Sequence, residues 1–213
     1  MAIGNDQPSR AAEATIQSRH PRRSWRTVDA VVVAVIGVAF AVVFAVWNVL
    51  YSATVPAFAW FPPAQGVMYG VWMLPGVLAG LIIRKPGAAF SAEVIGAFVS
   101  VLLGGGAWSW TIVLYGLVQG LAPEVVFALF RYRRFDVLAA CLGGGLAGLG
   151  AAVMDVVGYY PDWSASWKLA YASVLVASSA AIAGLGGVAL ARALTRTGVL
   201  APFAAGGEIG RSS

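Results

Sequence analysis

Long apolar stretches, separated by short polar connections, dominate the hydropathy pattern of the chain. None of these stretches alternates between apolar and polar residues as a half-buried strand would. Backbone groups in hydrocarbon must be hydrogen-bonded within their own segment, so each stretch is predicted to be a helix. The pattern therefore predicts an all-α fold, a polytopic bundle of six transmembrane helices over Val28–Tyr51, Val67–Ile83, Ala88–Leu103, Trp110–Phe130, Val137–Val157 and Leu169–Ala193.

The composition requires a lipid environment for most of this chain. Of its 213 residues 60% are hydrophobic and 11% are charged, whereas a soluble domain has about a quarter charged residues. Residues 25–195 are predicted to form the transmembrane domain, with a polar and flexible tail at 1–24 and a second tail at 196–213. A full-length apolar span follows the first tail, so we interpret that tail as part of the mature protein and not as a signal peptide.

Basic residues occupy alternate connections between the predicted helices. Thirteen of the 14 lysines and arginines lie on one side: eleven in the two tails or in the connections around Arg84 and Arg131, and Arg26 and Arg192 at the adjoining ends of the first and sixth spans. The opposite connections contain only Lys168. By the positive-inside rule this bias predicts that both termini are cytoplasmic. Because the basic residues flank spans, the net charge of +5 does not indicate a nucleic-acid partner.

The three connections on the opposite side are rich in aromatic residues, proline and glycine. Two interpretations are open. The rings could form an interfacial belt, which anchors many membrane proteins. A belt needs rings near both faces, however, and Trp25 is the one tryptophan at the basic side. This asymmetry favours an aromatic-lined binding site near the outer face.

Motifs for catalysis or for a cofactor are missing from the sequence. It contains no HExxH and no GxxxxGK[ST], and His20, its single histidine, lies in the first tail. The single cysteine, Cys141, can form no intramolecular disulfide. Glycine pairs four residues apart, among them Gly144/Gly148, are typical of close helix packing. We therefore predict that the protein is not an enzyme and needs no cofactor or metal.

Polar residues within the apolar stretches are candidate site residues, because their insertion into a membrane is costly. Glu124 is interpreted as a structural partner of Arg131 or another basic residue. Glu93 lies deeper in its helix, so a role in the pocket is favoured over pairing with Arg84 or Lys85. Predicted helices one, two, four and five each direct rings or hydrogen-bonding groups outward. The predicted substrate site comprises Trp47, Tyr51, Tyr69, Trp72, Glu93, Trp108, Tyr115, Gln119, Asp155 and Tyr159.

Such a site suits a small, flat, polar heterocycle that is stacked between rings and held by a few hydrogen bonds. A carboxylate facing these rings would also suit a cationic ring. The spans contain no ladder of ionisable groups like that of a proton-coupled transporter. The chain is thus equipped to capture a solute rather than to drive its movement.

Small residues form a stripe along the first predicted helix, at Ala30, Ala34, Gly37, Ala41 and Ala45. Their spacing puts them on one face, where a second backbone can approach closely. From spacing alone the stripe could pack against another helix of this chain or dock a partner.

Several motifs resemble those of the YkoE family. They are Arg84-Lys85-Pro86-Gly87-Ala88-Ala89 with Ala92-Glu93, Tyr115-Gly116-Leu117-Val118-Gln119-Gly120, and Glu124 with Phe127 and Arg131-Tyr132-Arg133. Members are substrate-binding (S) components of energy-coupling factor (ECF) transporters, assigned to thiamine or its hydroxymethylpyrimidine precursor. The resemblance extends from about Trp25 to Arg192.

This resemblance implies a multi-pass protein of the bacterial cytoplasmic membrane that binds its ligand near the extracellular face. It also implies three partner chains, a membrane-embedded coupling (T) subunit and two ATPases. Ala30, Ala34 and Ala41 would form the docking face for the coupling subunit. Two alternatives remain: a self-sufficient secondary transporter of a small aromatic heterocycle, which would need a coupling-ion site, and a membrane enzyme using Glu93, Glu124 or Asp155.

Overall fold

A computed structural model describes residues 24–104, 109–200 and 203 of the chain, and the regular structure within them is helical. We number the α-helices in chain order, α1 to α7. They are α1 (Thr27–Thr54), α2 (Leu74–Ile83), α3 (Ala88–Leu102), α4 (Ser109–Leu129), α5 (Val137–Gly158), α6 (Ala165–Ser179) and α7 (Gly187–Arg196).

Each of the six predicted stretches is helical, which confirms the all-α polytopic class. Among the described residues, five helical segments are long and apolar enough to cross a membrane, and α3 is a shorter apolar helix of 15 residues. The sixth span consists of α6, a π-helix at Ala180–Gly186 and α7 in direct succession. The sequence analysis did not predict this π-helical insertion.

The second span departs from the regular helix that the sequence predicts. It begins with a 3₁₀-helix at Pro62–Val71, preceded by a short one at Val55–Phe58, and becomes α-helical only at Leu74. Pro75 is the second residue of α2. Its ring blocks an α-helical hydrogen bond to the preceding turn, so the α-helix starts where a missing N–H costs least.

Glycines allow the helices to pack at very short distances. A Cβ atom on Gly116 would lie 2.4 Å from Cβ of Ala97 on α3. A Cβ atom on Gly144 would lie 2.6 Å from the carbonyl oxygen of Ser179 at the end of α6. These contacts confirm that the glycine pairs form packing faces between helices.

At one end of the bundle, which we call the basic end, α1 is tied to the α2–α3 connection. The Asp29 carboxylate accepts hydrogen bonds from the backbone N–H of Arg26 at 2.7 Å and from its guanidinium at 3.0 Å. It also forms an ion pair with Lys85, while the Trp25 indole N–H donates to the Pro86 carbonyl at 2.9 Å. The motif at 84–87 therefore lies at the basic end.

Glu124 has a different structural role from the predicted one. Its carboxylate accepts hydrogen bonds from the backbone N–H groups of Gly87, Ala89 and Phe90, at 2.6, 3.1 and 3.3 Å. The Tyr132 hydroxyl donates to it at 2.6 Å. Glu124 thus caps the N-terminus of α3, where a negative charge is stabilised by the helix dipole. These four donors take the place of the predicted arginine.

Replacing Glu124 with glutamine should destabilise the protein by about 1–3 kcal/mol, because the amide presents an NH2 group to some of these donors. Thermal unfolding of the purified protein, followed by circular dichroism, would measure the loss. Tyr132→Phe removes one donor only and should cost less. Equal stability of wild type and Glu124→Gln would contradict the capping role.

The small-residue stripe on α1 is divided between two environments. Ala30 is exposed and Ala34 is half-buried. A Cβ atom on Gly37 would lie 2.7 Å from the Ile95 side chain of α3, and Ala41 is 0% exposed. The prediction that Ala41 belongs to a docking face is therefore wrong, because packing within the chain already covers it.

Candidate functional site

Three rings from the first two spans meet at the end of the bundle opposite the basic end, which we call the aromatic end. The Tyr51 ring centroid lies 5.9 Å from that of Tyr69 and 5.1 Å from that of Trp72, and Tyr69 and Trp72 are 5.0 Å apart. All three contacts are edge-to-face, a favourable geometry for aromatic pairs. The 3₁₀-helix places Tyr69 beside Trp72, since residues three apart share a face in that geometry.

Tyr171 on α6 joins these rings to a second aromatic group. Its ring centroid lies 6.1 Å from Tyr69, 5.5 Å from Tyr160 and 5.7 Å from Trp163. Tyr160 and Trp163, in the α5–α6 connection, are stacked at 4.0 Å with 15° between their planes. We call these six residues, Tyr51, Tyr69, Trp72, Tyr160, Trp163 and Tyr171, the ring cluster.

Asp155 provides the carboxylate of this site. It lies on the last turn of α5 and is 1% exposed. Its two oxygens accept hydrogen bonds from the hydroxyls of Tyr115 on α4 and Tyr171 on α6. None of the described basic side chains forms an ion pair with Asp155, so its carboxylate depends on these hydroxyl donors, because burial of a charge is otherwise costly. The site thus combines aromatic faces with one buried acceptor group.

Hydrogen bonds donated by three side chains attach α1 to the 3₁₀-helix and to Trp72, which follows it. The Trp72 indole N–H donates to Asn48 Oδ1 at 3.0 Å, and the Gln65 amide donates to the Tyr51 carbonyl at 3.1 Å. The Trp47 indole N–H donates to the Met68 carbonyl at 3.0 Å. Trp47 therefore anchors this segment, and among the described residues its ring does not contact the ring cluster.

Glu93 lies in the centre of the bundle, between α2 and α4. It is 1% exposed, and Oε2 accepts a hydrogen bond from the Gly76 backbone N–H, in the first turn of α2, at 2.9 Å. A Cβ atom on Gly120 would lie 2.9 Å from Cβ of Glu93. The hydrogen bond from Gly76 makes Glu93 a cap of α2, which the sequence analysis did not predict.

Gln119 is 6% exposed and lies one helical turn from Tyr115 on α4. Among the described residues, no buried side-chain nitrogen or oxygen atom lacks a hydrogen-bond partner, so Gln119 leaves no buried polar atom unsatisfied.

The structure thus brings together five of the predicted site residues, Tyr51, Tyr69, Trp72, Tyr115 and Asp155. Tyr159 is 37% exposed and lines a groove of about 460 Å³ between α4 and α5 together with Tyr115. Trp108 lies outside the described residues.

Tyr171, which is 1% exposed, is a site residue that the sequence analysis missed. Its position, a tyrosine in the outer third of the sixth apolar stretch, was the feature of the sequence that could have identified it as a site residue. Tyr160 and Trp163 were noticed only as members of an aromatic connection. Burial, reinforced by the negative charge of Asp155, raises the pKa of Tyr160 above its ordinary value. Its hydroxyl therefore remains protonated at neutral pH and can donate a hydrogen bond.

Other outward tryptophans are placed as a belt would place them. Trp60 and Trp110 are 78% and 84% exposed, and neither belongs to the ring cluster. The two interpretations of the aromatic asymmetry therefore apply to different residues. Exposed rings lie where an interfacial anchor is expected, and buried rings surround Asp155.

Comparisons with known proteins agree with this architecture. Residues 28–150 match the family model described as "ABC-type cobalt transport system, permease component". The chain is 35% identical over 188 residues to "Putative HMP/thiamine permease protein YkoE" of Bacillus subtilis (strain 168). The aligned region covers 88% of this chain and 93% of the relative. The two descriptions name different cargoes. Among the described residues, no three His, Cys, Asp or Glu side chains lie close enough together to hold a metal ion.

A solved structure titled "Crystal structure of an S-component of ECF transporter" superposes with a TM-score of 0.84 at 32% identity. The match covers 89% of this chain and 95% of the solved one. Both relatives are therefore matched along nearly their whole length. The chain belongs to the YkoE family and has the fold of an ECF transporter S component, a multi-pass protein of the cell membrane.

Proposed function

We propose that this protein captures thiamine or its hydroxymethylpyrimidine precursor for an ECF-type ABC transporter. The ligand binds at the aromatic end, and a membrane coupling subunit driven by two ATPases moves it inward. The name of the Bacillus relative, an HMP/thiamine permease protein, supports this substrate class. The fold that this chain shares with an S component supports the division of labour between a capture subunit and a separate coupling subunit with its ATPases.

The observation that carries the proposal is the position of Asp155 among aromatic rings. Its carboxylate is buried beside Tyr115 and Tyr171 and lies next to the ring cluster. A planar heterocycle can stack on such rings, and the positive thiazolium of thiamine gains from both the carboxylate and the ring faces. The buried Gln119 amide is a further group suited to the pyrimidine edge.

The distribution of charge supports an outward-facing aromatic end. Arginines and lysines cluster at the basic end, around Arg26, Arg84, Arg131 and Arg192. This distribution fits cytoplasmic termini and a ligand site open to the exterior. An exterior site is what a capture subunit for a dilute nutrient requires.

The docking face for the coupling subunit is proposed on α1. Ala30 is exposed and Ala34 half-buried, one turn apart on the same face. Small side chains there let a second helix approach closely. Ala41 is not part of this surface, because it is buried against the chain's own helices.

Titration of the purified protein with thiamine and with hydroxymethylpyrimidine, followed by tryptophan fluorescence, tests the ligand. We expect saturable quenching by at least one compound below micromolar concentration, since Trp72 and Trp163 belong to the ring cluster. Co²⁺ serves as the competing ligand, in view of the family model's description. Saturation by Co²⁺ alone would refute the proposal.

Uptake by vesicles tests the division of labour. Vesicles that contain this chain with coupling subunit and ATPases should accumulate labelled ligand, and vesicles with this chain alone should not. Accumulation by the chain alone would instead establish a secondary transporter. Lack of uptake in both, with intact binding, would contradict the choice of coupling partners.

A further inference from the structure

A cavity of about 590 Å³ opens at the basic end, far from the ring cluster. Its walls come from the end of α2, the α4–α5 connection, the start of α5 and α7. It is lined by apolar side chains and by three arginines, Arg84, Arg192 and Arg196. No part of the ligand site described above contributes to it.

Two of the arginines of this cavity, Arg192 and Arg196, have no acidic partner among the described residues. Arg192 and Arg196 lie four residues apart on α7, so their guanidinium groups share one face, where like charges repel. Within the described part of the chain, neither has a hydrogen bond or an ion pair. Arg84 faces the same cavity, held over the Phe135 ring with its Cζ 5.2 Å from the ring centroid.

Asp136 is the one carboxylate that lines the cavity, and it is already engaged. Its Oδ1 accepts a hydrogen bond from the Ala139 backbone N–H at 2.9 Å and so caps the N-terminus of α5. This one engaged carboxylate does not balance the guanidinium groups of Arg192 and Arg196. The cavity is therefore complementary to an anion with several acceptor oxygens, such as a phosphate.

The surface that leads away from the cavity is apolar and exposed. Leu138, at the rim, is 54% exposed, and the exposed side chains of Leu142, Leu146, Leu149 and Val153 continue along α5. Their spacing of three or four residues places them on one helical face. A molecule whose phosphate lies among the arginines can thus lay a hydrocarbon chain along this face. A soluble phosphate would gain nothing from it.

We infer that this cavity binds the phosphate headgroup of an anionic phospholipid, with Arg84, Arg192 and Arg196 around the phosphate and an acyl chain along α5. Basic pockets between helices at the cytoplasmic surface are suited to such headgroups. The site is independent of vitamin binding, since it lies at the opposite end of the bundle.

Native mass spectrometry of the full-length protein in neutral detergent tests the inference. Phosphatidylglycerol and phosphatidylcholine with identical acyl chains are titrated against wild type and the double variant Arg192→Gln/Arg196→Gln. Wild type should retain phosphatidylglycerol preferentially. The variant should bind it on the order of tenfold more weakly, because two basic residues near the headgroup are lost.

Arg133→Gln/Arg134→Gln is the matched control, since it removes two exposed charges at the same end but outside the cavity. It should bind phosphatidylglycerol like wild type. Equal loss in both double variants, or equal retention of both lipids by wild type, would overturn the inference. Competition by glycerol phosphate at the lipid's own concentration would also overturn it, in favour of a soluble anion. If the double variant does not fold, Arg196→Gln, at the last residue of α7, replaces it.

Discussion

Asp155→Asn is expected to weaken thiamine binding by about 30-fold to 1000-fold, the cost of removing one partner of a buried charge pair. Thiamine carries a fixed positive charge, and Asp155 is the buried carboxylate beside the ring cluster. The neutral hydroxymethylpyrimidine loses at most a hydrogen bond in this variant. Its affinity should therefore fall by less than about tenfold. Fluorescence titration of both ligands on the same preparation measures the two ratios.

Asp162→Asn is the matched control for this experiment, because Asp162 is an exposed aspartate in the α5–α6 connection. It should leave both affinities unchanged. Tyr115→Phe, which removes one hydroxyl from Asp155, should have an intermediate effect. Equal losses of thiamine and of the pyrimidine in Asp155→Asn would show that the carboxylate does not recognise charge. A thermal unfolding curve of each variant separates binding effects from loss of the fold.

Gly144→Val should be among the most destabilising single substitutions in this bundle. The new Cβ would lie 2.6 Å from the Ser179 carbonyl oxygen and 3.3 Å from both the Ala183 Cβ and the Gly184 nitrogen. Two of these three are backbone atoms, so the clash can be relieved only by separating α5 from the sixth span. We expect a loss of about 3 kcal/mol, or a melting temperature lower by roughly 6–12 °C.

Gly158→Val provides the control on the same helix. A Cβ atom there would meet nothing within 4 Å, so its melting temperature should stay within about 2 °C of wild type. Circular dichroism of the purified variants gives both values. If Gly144→Val melted together with Gly158→Val, the close packing of α5 on the sixth span would have to be abandoned.

The membrane spans could be predicted from sequence because the hydropathy of a segment measures directly whether lipid or water is its favourable surrounding. The detailed geometry within a span could not. Pro75 was visible in the second stretch, but the sequence did not reveal that ten residues before α2 would form a 3₁₀-helix. A Cβ atom on Gly70 would lie 2.5 Å from the Ile182 side chain. This contact with the sixth span is tertiary information, which periodicity within one segment does not contain.

The acidic residues show the same limit. Their depth in the spans marked Glu93 and Asp155 as candidate pocket residues and Glu124 as a structural partner of a basic residue, since an unpaired buried charge is costly. The partners themselves were not predictable. Glu93 accepts a hydrogen bond from the backbone N–H of Gly76, 17 residues earlier in the chain. Glu124 accepts one from the backbone N–H of Gly87, 37 residues earlier. Backbone N–H groups carry no signature in a sequence, so basic side chains were the only partners that could be proposed.

Within the candidate site, the sequence predicted which side of each single helix carries site residues, but not how the helices meet. Tyr51, Tyr69, Trp72 and Asp155 were identified from spacing and depth, and the structure brings them together. Tyr171 was missed because its role depends on α6 lying beside both α5 and the 3₁₀-helix. Trp47 was included because it shares a turn with Tyr51, although its indole instead holds the Met68 carbonyl.

The length of α3 has a consequence for the surrounding lipid. Its 15 residues rise about 22 Å, which is several ångströms less than the roughly 30 Å of a bilayer's hydrocarbon core. Lipids beside a segment that is too short are drawn inward, which thins the membrane locally. Where α3 is exposed, at Phe98 and Leu102, water would then reach deeper than it does beside a full-length span. A cationic ligand of the kind proposed above would have that much less hydrocarbon beside its path.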